Sequence, residues 1–468
     1  MVTGASLSYI NKYFSIMDNR NLKLIFGRLA ICLAVGFMGS CSDKDDLNSG
    51  IIEPEPVEKP FKRSMSTLSF VFPDYPEAEQ IWLKEDYIDA TLRVGSEIVD
   101  GFDADSDKAD SGEDVDYGDS DSVEEYELTV RGRGNSTWGM PKKPMRLKFK
   151  KKTELCGLRN AKNFVLLANY IDPSHMRNAV ALWLGNRLGV PNTNQFEPCN
   201  VYVNDNYVGL FLLTNKIGIN SGSVDIDEEK GILFELSTEY DETYKFRSAK
   251  YNLPVMVKDP DFDDLADSKQ PEVRLEEWQK DFERAERLAA EGRASEVFDI
   301  ESAVNYMLVQ EICGNSEIAH PKSWYMYKEE IGEDHKYIFG PIWDFDAAFN
   351  NVYMDGVSLI NHPESPILQN PLLRKITSSE EYQELYSRRF EEFINVIWPE
   401  LSEFIADYSF LIRNAAEMDG ERWNIAESIQ DWTYHYPSTD YNRHVKDLTN
   451  WLGRRISYLS KQHSTTPE

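Results

Sequence analysis

Two aspartates separated by one residue, Asp344 and Asp346 in the segment PIWDFDAAF, have the spacing expected of a site for a divalent cation. Side chains at positions i and i+2 of an extended chain lie on the same side, so both carboxylates would face one ion. A third carboxylate, Glu317 in the segment GNSEIAHPKSWYMY, has the chemistry of a general base. The aspartates also fit a capped strand end, and the acids alone leave both interpretations open.

A glycine turn followed by basic residues, RGRGNSTWGMPKKPMRLKF at 131–149, precedes these acids. Glycine permits a tight turn with exposed backbone amides. Five cations of the segment are candidates for contact with phosphates: Arg133, Lys142, Lys143, Arg146 and Lys148. Arg146 and Lys148 lie on one face of the strand predicted at 145–149. Phosphoryl transfer requires groups that cover and neutralise the phosphates, hold Mg²⁺ and orient the attacking hydroxyl. Because the turn alone also fits a plain loop, the hypothesis depends on the combination of these elements and their order.

The elements that must position these residues change in type along the chain. Alternating patterns predict strands at 66–73, 87–99, 125–130, 145–149, 163–168, 200–203, 207–213, 231–236 and 253–257, with a turn at 204–206. Helical patterns predict helices at 173–189 with Asp172 as N-cap, at 271–291, at 299–314 with Asp299 as N-cap, and over most of the chain after 378. The sequence therefore predicts an α+β protein of two lobes, with a strand-rich N-terminal half (65–260) and a helix-rich C-terminal half (261–468).

The formal net charge of −30 argues against a nucleic-acid partner, because nucleic-acid binders carry basic surfaces. The charge is uneven, with an acidic stretch at 103–127 directly before the basic segment at 131–149. Asp103, Asp105 and Asp107 have the spacing of a calcium loop, but Lys108 stands where that loop requires glycine. The part of this stretch at 103–121 is rich in Asp, Ser and Gly and is predicted to be a loop inserted in a hairpin.

The N-terminal 40 residues have the pattern of a signal peptide. A basic flank precedes an apolar run at 22–40, which ends in Gly39 and Ser40 directly before Cys41. A cysteine in this place resembles the lipobox of bacterial lipoproteins, whose thiol takes the lipid. The alternative is an uncleaved membrane anchor, although Arg28 interrupts the apolar run.

Acidic residues directly after Cys41 resemble the surface-export signal of Bacteroidetes lipoproteins. The resemblance implies a signal peptide at 1–40 and an acidic, proline-rich tether at 41–64. It further implies that a lipid on Cys41 holds the mature chain at the outer membrane or cell surface of a Gram-negative bacterium.

Six segments of the chain resemble the CotH (spore coat protein H) kinases: RGRGNSTW at 131–138, KKPMRLKF at 142–149, VLLANYIDPSHMRN at 165–178, VYVNDNYVGLFLL at 201–213, LPVMVKDPD at 253–261 and FGPIWDFDAAF at 339–349. The resemblance implies an atypical protein-kinase-like fold that uses ATP and Mg²⁺ to phosphorylate hydroxyls of other proteins. It implies that Asp344 binds the metal, that Asp346 is a second acid, and that Lys148 or Lys143 contacts the ATP phosphates. Arg177 and Asn178 match an Arg-Asn pair of the family, whose role is either catalytic or to fix a helix end.

The segment 314–327 departs from the family pattern. Glu317 stands where the catalytic Asp is expected, and Ser323 stands where the Asn that binds a second metal is expected. A longer base and a poorer metal ligand predict slow transfer or none. The alternative function is a non-catalytic surface binding module on the kinase-like domain, with a protein or a surface glycan as its unidentified partner. A nuclease or glycosidase has no signature in this sequence.

The Cys41→Ala variant is expected to leave the membrane fraction, because no thiol remains to take the lipid. Cell fractionation with immunoblotting measures the change, and Cys32→Ala, inside the predicted signal peptide, is the matched control. Retention of Cys41→Ala in the membrane with an uncleaved signal segment would support the anchor instead.

Overall fold

The computed structural model describes residues 64–99, 124–265, 271–351, 369–428 and 438–465. The predicted signal peptide, Cys41 and nearly all of the tether lie outside these residues, as does most of the acidic stretch at 103–127. No helix among the described residues combines the length and the apolar character needed to cross a membrane.

Seven strands form a closed barrel in the order β1-β2-β3-β4-β5-β7-β6. The strands are β1 Ser64–Val71, β2 Ile88–Ile98, β3 Glu124–Gly132, β4 Met145–Thr153, β5 Ala161–Leu167, β6 Phe196–Val203 and β7 Asn206–Asn215. Neighbours pair antiparallel except that β6 closes the barrel by pairing parallel to β1, with Ser66 opposite Cys199. Alternation along β4 buries Met145 and Leu147 and turns Arg146 and Lys148 outward, so the barrel wall presents the predicted cations to its outer face.

A second sheet of five strands has the order β12-β11-β8-β10-β9. Its strands are β8 Ile232–Leu236, β9 Lys245–Arg247, β10 Pro254–Asp259, β11 Trp324–Lys328 and β12 Ile338–Phe339. A buried apolar cluster that includes Val165 of β5, Leu233 of β8 and Trp343 joins the outer wall of the barrel to this sheet. The basic segment therefore lies next to the chain that carries Asp344.

Eight helices complete the described fold: α1 Arg177–Arg187, α2 Pro271–Ala290, α3 Ile300–Cys313, α4 Pro371–Thr377, α5 Glu380–Glu392, α6 Trp398–Trp423, α7 Ile425–Ser428 and α8 Tyr441–Thr465. Helix α3 is apolar on nearly all sides and packs among α1, α5 and α8, as expected of a buried helix. Asp299 caps its N-terminus by accepting the backbone N–H of Ser302 at 2.7 Å, and the left-handed Gly314 ends it. This helix end places Glu317 three residues further on.

The predicted two-lobed, kinase-like fold is wrong. The strands of the first half close into a barrel, and β11 and β12 of the second half join β8, β9 and β10 in one sheet. The physical reason is that alternation identifies a strand but carries no information on its distant partner. Pairing of β1 with β6 and of β11 with β8 joins residues far apart in sequence.

The start of α1 also differs from the prediction. The helix begins at Arg177, and Asp172 lies in the preceding turn instead of at the N-cap. The Asp172 carboxylate accepts the backbone N–H of Ser174 at 3.0 Å and that of Arg177 at 2.8 Å. The Asp172 carboxylate therefore closes a local turn before the helix. Hydrogen bonds of this kind compete with helix capping.

A fully buried ion pair joins the barrel to helix α6. Lys142 Nζ lies 2.5 Å from Asp419 Oδ1, and both side chains are completely buried. The same oxygen accepts the backbone N–H of Leu210 on β7 at 2.8 Å, and His175 Nε2 lies 3.3 Å from the other oxygen. Burial alone would raise the pKa of Asp419, but Lys142 and His175 hold it below its ordinary value. One carboxylate thus ties together the basic segment, β7 and α6.

The Asp419→Asn variant is expected to lose about 3–5 kcal/mol of unfolding free energy, because the Lys142 ammonium stays buried without its counter-charge. Urea denaturation followed by circular dichroism measures the loss. Glu127→Gln, which breaks the exposed pair with Lys150, is the matched control and should leave the midpoint unchanged. Equal midpoints for the two variants would show that the buried pair does not hold the fold.

Candidate active site

The segment that carries Asp344 and Asp346 follows β12 and is fixed by two asparagines. The backbone N–H of Phe345 donates to Asn178 Oδ1 at 2.8 Å. Asn351 Nδ2 donates to the backbone oxygen of Asp346 at 2.7 Å and to that of Ile171 at 2.9 Å. These bonds hold the acidic segment against the start of helix α1.

Asp344 has a φ of +68°, in the left-handed region, so the segment is not extended there. The argument from strand alternation is therefore wrong for this pair, because it requires extended backbone at both residues. The two carboxylates are nevertheless close enough to interact, since Asp344 raises the pKa of Asp346. The loop conformation brings the two carboxylates near each other, and the separation of the aspartates by one residue did not predict this conformation.

Arg177 and Asn178 position this loop from the first turn of α1. The buried Arg177 guanidinium forms an ion pair with Asp172, and Asn178 Nδ2 donates to Asn169 Oδ1 at 2.9 Å. Because Asn178 Oδ1 accepts the backbone N–H of Phe345, Asn178 connects α1 directly to the acidic segment. These contacts describe a positioning role for both residues.

Glu317 completes a cluster of three carboxylates. It lies on the 3-10 turn Ser316–Ala319, where Asn315 Oδ1 accepts its backbone N–H at 3.2 Å. Burial, followed by the repulsion of Asp344, raises the pKa of Glu317 to about 7. Burial, Asp344 and Glu317 raise the pKa of Asp346 well above its ordinary value. A carboxyl group with a pKa near neutrality is suited to accept a proton at physiological pH.

Ser323 and Lys322 line the same cluster. The Ser323 hydroxyl donates to Asp344 Oδ2 at 3.2 Å, and Lys322 Nζ lies 3.0 Å from Glu317 Oε1. Sequence reasoning identified Ser323 and missed Lys322. In the sequence, Lys322 is marked only by its position five residues after Glu317. That spacing does not bring two side chains together in a helix or a strand.

Among the predicted cations, Arg133 is the one that the described contacts place against the carboxylates. Its guanidinium lies 5.5 Å from the ring centroid of Trp343. Burial lowers the pKa of Arg133, and Asp344 opposes that shift. Arg146 donates to Asn163 Oδ1 at 3.2 Å, and it interacts electrostatically with Arg131 and Arg133. Positive charge therefore extends from the carboxylates along β3 and β4.

The predicted lysines make their contacts elsewhere, and Lys142 is paired with the buried Asp419. Lys143 Nζ donates to the backbone oxygen of Trp138 at 2.8 Å and lies over that indole. Lys148 Nζ lies 5.5 Å from the ring centroid of Tyr87. Sequence reasoning missed Lys216, a half-buried lysine near Arg146 whose pKa is lowered to about 8 by burial and by Arg146. No motif marked Lys216, because it comes just after β7 without a basic neighbour.

The described residues contain no group of three or more His, Cys, Asp or Glu side chains that could hold a metal ion by themselves. Mg²⁺ is commonly bound through one or two carboxylates, with waters and substrate phosphates as the remaining ligands. Asp344 and Asp346 fit that requirement, because two mutually repelling carboxylates lie beside cationic groups that suit phosphate. The site therefore fits an ion that arrives with a phosphate ligand.

In the metal-free protein, the Glu317 carboxyl is expected to titrate near pH 7, where the burial and the repulsion place it. Carbon-13 NMR of protein labelled at glutamate measures the midpoint, and the signal missing from Glu317→Gln assigns it. The Lys322→Met variant should raise the midpoint, because the ammonium lowers the pKa of Glu317. A midpoint near the ordinary value of 4.5 would show that the carboxylates are not close together.

Comparison with known proteins identifies the family of the chain. The sequence profile described as CotH kinase protein matches residues 130–459, a span that includes Arg133, Glu317 and both aspartates. No curated protein matches the chain. Because the matched span covers more than half of the 468 residues, the chain belongs to the CotH kinase family.

Proposed function

We propose that this CotH kinase domain transfers the γ-phosphoryl group of ATP to serine or threonine hydroxyls of proteins. The observation that carries the proposal is the pairing of Glu317, whose pKa is raised to about 7, with Asp344 and Asp346 beside Arg133. A base, two carboxylates for a metal and a cation for phosphate are the parts that phosphoryl transfer requires.

Glu317 is the proposed general base. In the step, the oxygen of the acceptor hydroxyl forms a bond to the γ-phosphorus while the bond from that phosphorus to the bridging oxygen of ADP breaks. The hydroxyl proton passes to the Glu317 carboxylate, and ADP leaves with the electron pair of the broken bond. Lys322, 3.0 Å from Glu317, keeps part of this carboxylate ionised near neutral pH because the ammonium lowers its pKa.

Asp344 and Asp346 are the residues that would hold Mg²⁺, with the Ser323 hydroxyl beside Asp344. The ion supplies positive charge against the phosphates when it is bound. Arg133, held by stacking on Trp343, orients and neutralises the phosphates from the barrel side. Arg146 and Lys148 continue this cationic wall along β4, with Lys143 on the segment that precedes it.

A non-catalytic binding module is the second candidate function. Its support is that Glu317 is already ion-paired with Lys322 and that the Ser323 hydroxyl is bonded to Asp344. Both groups stand where the family pattern has an Asp and an Asn. In this version the domain binds a protein or surface glycan and transfers no phosphate.

The proposed location is the cell surface, where lipid on Cys41 would hold the domain at the outer membrane. The support is the apolar run that ends in Gly39 and Ser40 before Cys41, followed by acidic residues.

The Asp344→Asn variant is expected to lose Mg²⁺-dependent binding of ATP while its unfolding temperature without ligand stays near that of the wild type. Thermal-shift titration of the full chain measures both, since a ligand at a hundred times its Kd adds roughly 2.7 kcal/mol of stability. Asp334→Asn, an exposed aspartate between β11 and β12, is the matched control. Unchanged binding in Asp344→Asn would remove this carboxylate from the nucleotide site.

A further inference from the structure

Lys322 places an ammonium group among the three carboxylates of the site. The loop between the turn Ser316–Ala319 and β11 carries it, and its side chain is 25% exposed. Burial alone would lower the pKa of Lys322, but Glu317, Asp344 and Asp346 raise it above its ordinary value. Its Nζ lies 3.0 Å from Glu317 Oε1, and a lysine ammonium paired in this way is positively charged at neutral pH.

The ligands that a second divalent cation would need are already used by the protein itself. A kinase that binds two Mg²⁺ ions holds each with carboxylate or amide oxygens in addition to phosphate. Here Glu317 is ion-paired with Lys322, and the Ser323 hydroxyl donates to Asp344. The groups that stand where a base and a second-metal ligand are expected are therefore already engaged with neighbouring side chains.

The balance of charge in the cluster also argues against a second divalent cation. Three neighbouring carboxylates cannot all remain ionised in a half-buried site without cations between them. The Lys322 ammonium supplies one such cation permanently, at the side of the cluster formed by Glu317. Asp344 and Asp346 are left for one metal ion, and Arg133 interacts electrostatically with Asp344.

We propose that the ammonium of Lys322 takes the place of a second divalent cation, so that the site binds a single metal ion together with ATP. This inference rests on the proposed function and adds to it the number of ions and a positioning residue. Lys322 holds the Glu317 carboxylate in place and offsets negative charge beside the transferred phosphate. A lysine ammonium does not need the oxygen ligands that a metal ion requires. A nucleotide site is therefore compatible with Glu317 and Ser323 at these two positions.

Counting bound Mn²⁺ tests the inference with a readout other than activity. The full chain is titrated with Mn²⁺ in the presence of a non-hydrolysable ATP analogue, and free Mn²⁺ is measured by electron paramagnetic resonance. The wild type is expected to bind one ion per chain. Lys322→Met is expected to bind two, because Glu317 becomes available as a ligand beside Asp344. Lys322→Arg, which keeps the charge, and Lys336→Met, which removes an exposed lysine, are the controls and should bind one.

Two ions bound by the wild type would overturn the inference, and this result does not depend on the folding of any variant. One ion bound by a folded Lys322→Met protein would also overturn it, because the ammonium would then not be what excludes the second ion. Failure of the wild type to bind the analogue with any Mn²⁺ would contradict the proposed function itself. That result is distinguishable from a count of two, which leaves the kinase proposal standing.

Discussion

Repulsion among Glu317, Asp344 and Asp346 is the constraint on which the site depends. Burial raises the pKa of Glu317 and of Asp346, and repulsion from the neighbouring carboxylates raises both pKa values further. Cations from two sides of the site offset this repulsion. Lys322 comes from the same loop as Glu317, and Arg133 comes from the barrel. In the proposed function, the two aspartates would hold a metal ion, and the cations beside them would contact phosphate.

The fold holds this unfavourable arrangement by linking distant parts of the chain. Asn178 of α1 bonds to Phe345 and so fixes the acidic segment to a helix that Arg177 and Asp172 anchor. On the barrel side, the buried pair of Lys142 and Asp419 ties the basic segment to α6. The site is therefore a product of the whole domain, because no single supersecondary unit carries both the carboxylates and the cations.

Local sequence patterns predicted many of the strands and helices, but they did not predict that the strands close into a barrel. Alternation predicted β4 and its outward cations, and the capping role of Asp299 predicted the start of α3. Asn204 and Asp205, both with positive φ, form the predicted turn between β6 and β7. Closure of the barrel was not predictable, because partner choice between distant strands leaves no local pattern.

The site was predictable in residue type and not in geometry. Asp344 adopts a left-handed conformation that spacing does not encode, and Lys322 reaches Glu317 only through the shape of an irregular loop. Family resemblance identified the acids, while the ammonium of Lys322 became visible only in three dimensions.

The most direct test of the proposed kinase activity is transfer of the labelled γ-phosphate of ATP to protein, compared between the wild type and Glu317→Gln at equal folded concentration. The account predicts slow labelling of the wild type that is lost in Glu317→Gln, and labelling that survives in the variant would contradict it.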